Sequence, residues 1–585
     1  MSFRTGFKWT KWAATAAIVS MLATACSSGP GESPAETGAA GGAQNTPAAS
    51  NAVKVGIEPA ADKSKNPKSA LSRKDTLVVG LVSAPDGKYN PLLGAFWNTN
   101  VNEYVFASLV TIDDKGQPVP AIADKWEISP DGLKYTYHLN PNVKFSDGSP
   151  LTAEDAAFSL TVLHDPAYDG PTDISLAYVK GAEEYKKGSA TTLEGIKVID
   201  PQTLQVETTK PSALALKLLG GYVISKAYYG PSYKKGDLNA FKELNGKPLG
   251  SGPYTFVQEI KGQEIRLKAN PLYYKGKPKI ENIVYKLVSD PTSLQSLAAG
   301  ETDYQAFTTS SKDIYDQLKQ LGFVDVNTYA TTQFAYLDFN TQSTVLKDKL
   351  VRQALIYGLD RQKFVDILYQ GYGSVADHLV TPEAWSYPKD IKVPTYDKKK
   401  ASELLDQAGW KAGAGGIREK DGKKLTLRYL SRDSSLDKVL IPIIKENYND
   451  LGIDVQFETL EYNAVTAKRN KGEYELAYFF YSANDPYDQL RTYYSKSPAN
   501  AIRVAQYRND KVDKLIEDST ALVDQSKRIP ILHEVYQELV NDPPSLFLAN
   551  YKVLSGTNSR IKGIAPNGYY NIVNQLAVLN YSIEP

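Results

Sequence analysis

One cysteine occurs in the 585 residues, Cys26, and its place sets the first limits on what the chain can build. A lone thiol closes no intrachain disulfide and forms no thiolate metal cage. Ahead of it stand Arg4, Lys8 and Lys11 with no acidic residue, then the apolar stretch Ala13–Ala25, the order of an export signal. That stretch is too short for a bilayer, which takes about 20 residues to span, and no apolar run long enough follows it. Residues 1–25 are expected to be removed, which leaves 64 basic against 66 acidic side chains, net −2. Such a balance offers no field for nucleic acid or an anionic membrane surface.

The string Leu22-Ala23-Thr24-Ala25-Cys26-Ser27 resembles a bacterial lipoprotein signal, in which the thiol of Cys26 takes a diacylglycerol after cleavage. Two acyl chains suffice for stable anchoring. The next residues, SSGPGESPAETGAAGGAQNTPAAS, bury too little apolar surface to offset their ordering entropy, and 26–71 is expected to be a disordered tether. Its mean reach is about 35 Å.

Folding is expected to begin at Thr76-Leu77-Val78-Val79-Gly80-Leu81, a short run suited to a buried strand. Asp131-Gly132 makes a turn before Leu133, Tyr135, Tyr137 and Leu139, whose alternation predicts a half-buried strand carrying His138. Thr152 and Asp155 predict a capped helix start. Leu350, Val351, Ala354 and Leu355 keep helical spacing, and Asp360 is placed to cap a second helix through Leu368. No 20–50-residue repeat recurs, so the pattern is α/β or α+β with antiparallel hairpins and not a solenoid.

The chemistry of catalysis is missing. His138, His164, His378 and His533 form no pair at metal-ligand spacing, and His533-Glu534 fails the H-E-x-x-H pattern because residue 537 is Gln. No nucleophile elbow and no phosphate loop occurs. Gly371, Gly373 and Ala376 fit a dinucleotide fingerprint but follow a helical segment, the wrong context, and read as a turn. Acid pairs such as Asp485 and Asp488 keep a cell-wall hydrolase open as a remote alternative, since glycoside hydrolysis needs only two carboxyl groups. No cofactor is called for.

Three ordered blocks carry a further resemblance. The first runs from Pro120 through Trp126, Ser129, Asp131-Gly132 and Phe145-Ser146-Asp147-Gly148 to Pro150-Leu151-Thr152-Ala153-Glu154-Asp155; the second is Gly250-Ser251-Gly252-Pro253-Tyr254 with Asn270-Pro271 and Tyr273-Tyr274; the third is Val351-Arg352-Gln353-Ala354-Leu355 with Leu359-Asp360-Arg361. From about residue 75 onward the chain resembles the extracytoplasmic solute-binding proteins of ABC importers, of the family 5 peptide and nickel type. Trp126, Phe145 and the Asp-Gly turns read as makers of the fold, and Arg352 and Arg361 as structural ion-pair partners.

That resemblance implies a two-lobed periplasmic-binding-protein-like clamp joined by two crossover strands: lobe I over 72–327 and 548–585 with a subdomain near 115–215, and lobe II over 328–547. It implies a non-enzymatic, monomeric receptor, lipid-anchored at the outer face of the cytoplasmic membrane. There it would capture an oligopeptide-like solute and deliver it to ABC permease subunits served by a separate ATPase. An oligosaccharide or a metal chelate in the same cleft is the alternative; the scarcity of His and Cys speaks against bare nickel. The implied lobe II wall is Tyr478–Pro486, giving Phe479, Phe480, Tyr481, Ser482, Asn484 and Asp485 as ligand-binding candidates. Many peptide binders have, four residues before this proline, an aspartate that pairs with the peptide ammonium; here that place holds Ser482. A hydroxyl brings no charge, so Asp485 or another acid would have to stand in, or the solute would lack a free amino terminus. On lobe I the implied wall is Phe96–Asn102, with Trp97, Asn98 and Asn100 as candidates able to donate and accept. Tyr outnumbers Phe, 39 to 17, which supplies rings with a polar tip for a wet cleft.

Overall fold

The computed structural model describes residues 53–94, 98–482, 485–497 and 507–584. Cys26 with its signal, Trp97 and Asn484 lie outside the described residues.

A single sheet of 12 strands runs through both lobes. On one side of it lie, in order, Asp454–Thr459, Thr426–Ser431 and Leu476–Ser482; on the other lie Tyr304–Ala306, Thr76–Leu81, Asn282–Leu287, Glu264–Ala269 and Tyr254–Ile260. Between them stand the two longest strands, Val324–Phe339 and Ser545–Asn558, paired antiparallel and crossing from lobe to lobe. The expected lobe borders at 327/328 and 547/548 fall inside these two strands. Their register shifts between Ala330 and Phe334, so residues 331–333 interrupt the ladder where the lobes join. A bulge of this kind bends and twists a strand locally.

Lobe I packs Leu77, Val79, Ile265, Leu267 and Ile283 against the subdomain's Tyr135, Tyr137, Leu204 and Val206. The subdomain sheet orders Ala123–Ile128, Lys134–Leu139, Thr203–Glu207 and Ile196–Asp200, and the alternation at 133–139 is the inward face of its second strand. Thr152 and Asp155 form the reciprocal capping box of the helix Ala153–Leu163. In lobe II both faces of the sheet are covered. Leu337, Leu427, Leu476 and Leu546 meet the helices Lys349–Tyr357, Arg361–Tyr369 and Ser435–Asn449, while Phe334, Tyr336, Ala477 and Phe547 meet Pro486–Tyr493, Asp510–Thr520 and Gln525–Asn541. Asp360 caps its helix by accepting from Lys363 N at 2.9 Å. Gly371 and Gly373 follow that helix in a turn, and Gly373–Val375 pairs with the crossover strand.

The tether expected through residue 71 ends earlier. Gly56–Glu58 pairs with Val326–Thr328, Lys68–Leu71 is a helical turn with Ala70 buried, and Asn66 exchanges amide hydrogen bonds with Asn558 at 2.6 and 2.9 Å. Val53 N–H donates to Gly371 O at 3.4 Å, and Lys552 Nζ donates to Val53 O at 2.7 Å. These anchors are hydrogen bonds of the main chain, an amide pair and a lysine, which a composition poor in apolar residues does not reveal.

Candidate functional site

The site is built where the crossover ladder breaks. Thr331 Oγ1 donates to Tyr551 O at 3.1 Å and accepts from Gln333 N–H at 3.2 Å, closing a local turn. Thr332 Oγ1 lies 3.2 Å from Ser482 Oγ and 3.4 Å from Gly568 O, and the Tyr551 hydroxyl donates to Gln333 Oε1. Strand Leu476–Ser482 ends against this break, with Gln333 opposite Ser482 and Ala335 opposite Phe480.

Alternation along that strand sorts the candidates. Ala477, Phe479 and Tyr481 share one face; Tyr478, Phe480 and Ser482 share the other. Phe479 is buried in the lobe II core, its ring 4.2 Å from the Arg469 guanidinium and 6.4 Å from the Tyr336 ring, which corrects its expected place at the ligand. Arg469 is held in turn by Asp338 at 2.7 Å, both nearly inaccessible. Phe480 takes the open position: it is 47% exposed, with edge-on contacts to Tyr478 at 5.0 Å and Tyr551 at 5.7 Å. Tyr551 stacks on Tyr369 with 5° between the planes. The Tyr481 hydroxyl donates to Asp488 O, and its ring rests 6.3 Å from Phe334.

Asp485 is committed elsewhere. Its carboxylate caps the helix Pro486–Tyr493 by accepting from Tyr487 N at 2.9 Å, and Arg528 reaches both of its oxygens at 3.1 and 3.2 Å. An acid so paired is not available to a second cation, so it does not stand in for the carboxylate missing at Ser482. On lobe I, Asn98 is fully buried and its amide donates to Asp86 at 2.6 Å, while Asn100 is half-buried and its carbonyl accepts from the Tyr285 hydroxyl at 2.7 Å. Arg352 pairs with Asp542 and bonds Pro543 O; Arg361 bonds the carbonyls of Ala376, Phe547 and Pro394, so its structural partners are main-chain oxygens and not an acid.

Opposite the crossover the lobes touch again. Ala213 N–H donates to Thr520 O at 2.8 Å, Leu214 is buried in the lobe II aromatic cluster, and Lys217 Nζ lies 3.5 Å from Asp488. Asp488 holds the Lys217 ammonium above its usual range against the opposing effect of burial. Its side chain is nonetheless 59% accessible, so it lines a recess that admits solvent. Sequence reasoning missed Lys217, Thr332, Gln333 and Tyr551. Tyr551 follows the apolar run Leu546–Ala549 but stands between Asn550 and Lys552, and its partner lies 218 residues away. No group of three or more His, Cys, Asp or Glu that could hold a metal occurs among the described residues. No helix among them is long and apolar enough to cross a membrane.

The family model for bacterial extracellular solute-binding proteins, family 5 (middle region), matches residues 117–501, more than half of the chain. The oligopeptide-binding protein AppA of Bacillus subtilis is 28% identical over 480 residues, covering 81% of this chain and 85% of its own. Heme-binding protein A of Haemophilus influenzae is 28% identical over 518 residues, covering 85% and 91%. Among solved structures, Bacillus subtilis AppA with a nonapeptide superposes with a TM-score of 0.73 at 24% identity, covering 88% of this chain and 99% of its own. NikZ of Campylobacter jejuni with Ni(L-His) gives 0.73 at 24%, covering 87% and 99%. The chain belongs to the family 5 bacterial extracellular solute-binding proteins, a family of two-lobed binding proteins of ABC transporters and not of enzymes.

Proposed function

We propose that this family 5 protein captures an oligopeptide-like solute between its lobes and delivers it to the permease of an ABC importer, held at the outer face of the membrane by a lipid on Cys26. The reading takes lobe I as 72–327 with 548–585 and lobe II as 328–547. The observation that carries it is the exposed Phe480–Ser482 strand end set against the break in the crossover ladder. A solute laid there touches the lobe II wall through Phe480 and the interrupted crossover segment through Thr332 and Gln333, and one that also meets lobe I favours the closed arrangement. An extended peptide suits such a strand end, because main-chain pairing gives affinity that ignores sequence. The relatives named for oligopeptide and dipeptide binding support the same cargo class.

Protein lacking residues 1–26 is to be titrated with peptides of two to eight residues, with oligosaccharides, and with nickel and heme chelates. A bound peptide at a hundredfold excess over Kd raises unfolding free energy by about 2.7 kcal/mol and is recovered intact. Stabilisation by sugars or chelates alone would transfer the cargo class to them, and consumption of any compound would restore the hydrolase. Anchoring is checked by the mass of the Cys26 fragment from membranes and by release of Cys26→Ala protein into the soluble fraction.

A further inference from the structure

Glu103 stands on the open stripe of the helix Thr99–Val105. Thr99 is exposed and Asn100 and Glu103 are half-buried, while Val101, Asn102, Tyr104 and Val105 face the core. The two segments that touch its carboxyl both reach toward lobe II. Tyr222, whose hydroxyl donates to Glu103 Oε2, comes just after the helix Ala215–Leu219 that meets Asp488 through Lys217. Gln575, whose backbone N–H also approaches the carboxyl, lies in the C-terminal stretch whose Gly568 carbonyl accepts from Thr332 at the ladder break. Both segments thus lead from Glu103 toward contacts between the lobes.

No lysine, arginine or histidine nitrogen lies within salt-bridge distance of Glu103 among the described residues, unlike the buried acids Asp303 and Asp338 and the half-buried Asp485. The titratable groups around it are all tyrosines: Tyr104 from its own helix, Tyr222, Tyr273 from the turn after Glu264–Ala269, and Tyr285 from Asn282–Leu287. Each is held above the usual phenol range, chiefly by burial, and so is neutral. Burial also pushes the Glu103 carboxyl up to about 7, the Tyr222 and Gln575 hydrogen bonds opposing it. Gln575 is wholly buried; it donates to Ser108 at 3.0 Å and leaves its side-chain oxygen with no donor. Among the described residues, the corner is rich in acceptors and holds no cation.

We infer that Glu103, with Tyr222 positioning it, is the subsite on lobe I that receives a cationic group of the solute, an ammonium or guanidinium. This rests on the reading of the interlobe space as the solute site. It assigns the charge recognition that Ser482 lacks to the opposite wall. A solute cation supplies the counter-charge that the folded protein withholds, and binding it draws the carboxyl into its ionised form.

The test pairs probes that differ only in an amine: a lysine-containing tetrapeptide against its fully acetylated form, and glucosamine tetramer against N-acetylglucosamine tetramer, titrated calorimetrically at pH 5.5 to 8. Wild-type protein binds the amine form about ten- to a hundredfold more tightly at pH 7.5, and the preference shrinks toward pH 5.5. Glu103→Gln abolishes the preference and its pH dependence while leaving affinity for the acetylated partner unchanged. Tyr222→Phe keeps the preference and moves its midpoint to higher pH, which a merely structural role would not do. Peptides bound without preference, or a preference surviving in Glu103→Gln, overturn the inference and leave the peptide reading standing. If only the sugar pair binds, with a Glu103-dependent preference, the inference stands and the peptide reading falls. If neither pair binds, both fall.

Discussion

Two carboxylates, one in each lobe, have opposite surroundings. Asp485, on lobe II, is answered twice over, by the helix it caps and by Arg528. Glu103, on lobe I, has a tyrosine hydroxyl and a main-chain N–H and, among the described residues, no cation. The contrast is between an acid tied to a cation of its own lobe and one held only by neutral donors. Proximity to the site does not distinguish the two; counter-charge does.

The largest effect expected from breaking that contrast is on the lobe II side. Arg528→Met leaves the Asp485 carboxylate without its partner and should cost about 3 kcal/mol in urea unfolding at pH 7. A loss under about 1 kcal/mol would place Asp485 in the same condition as Glu103 and dissolve the comparison.

Removing Glu103 should act in the other direction. Its carboxyl titrates near 7 in the folded protein against 4.5 when exposed, so between those values the folded state holds the extra proton and stability falls as pH rises. Solute-free Glu103→Gln should escape that fall, gaining about 2 kcal/mol over wild type at pH 7 relative to pH 4.5. Parallel stability curves for the two proteins would count against an uncompensated acid.

His164 supplies the basic counterpart. Burial depresses it to about 4, the Leu160 carbonyl opposing at 2.7 Å from Nδ1. The unfolded chain then takes the extra proton, and stability is lost as pH falls from 6.5 toward 4, by about 2 kcal/mol; His164→Gln should flatten that limb of the thermal profile. Lys217→Ala gives the smallest effect. Its pair with Asp488 spans 3.5 Å with the lysine well exposed, so stability should change by less than about 0.5 kcal/mol.

Much of the scaffold was legible because it is written locally. The Thr152–Asp155 cap, the Asp360 cap and the alternation at 133–139 each depend on residues a few places apart. The three ordered blocks pointed to the clamp. Within the site, period-two alternation placed Phe479 and Phe480 on opposite faces, but which face was core depended on Arg469, itself fixed by Asp338 some 131 residues away. Asp485 stood out beside a proline, whereas the arginine that answers it lies 43 residues on. Glu103 drew no notice, since nothing near it in sequence tells that Tyr222, 119 residues away, brings no charge. Compensation is a long-range property, and a lone acid on a short helix looks the same with or without it.

The first described residues lie along the back of the joint, with Val53 held by Lys552 and Gly56 set opposite Thr328. A pull through Val53 thus enters the fold at the strands that the two lobes share, and not at a surface belonging to one lobe alone.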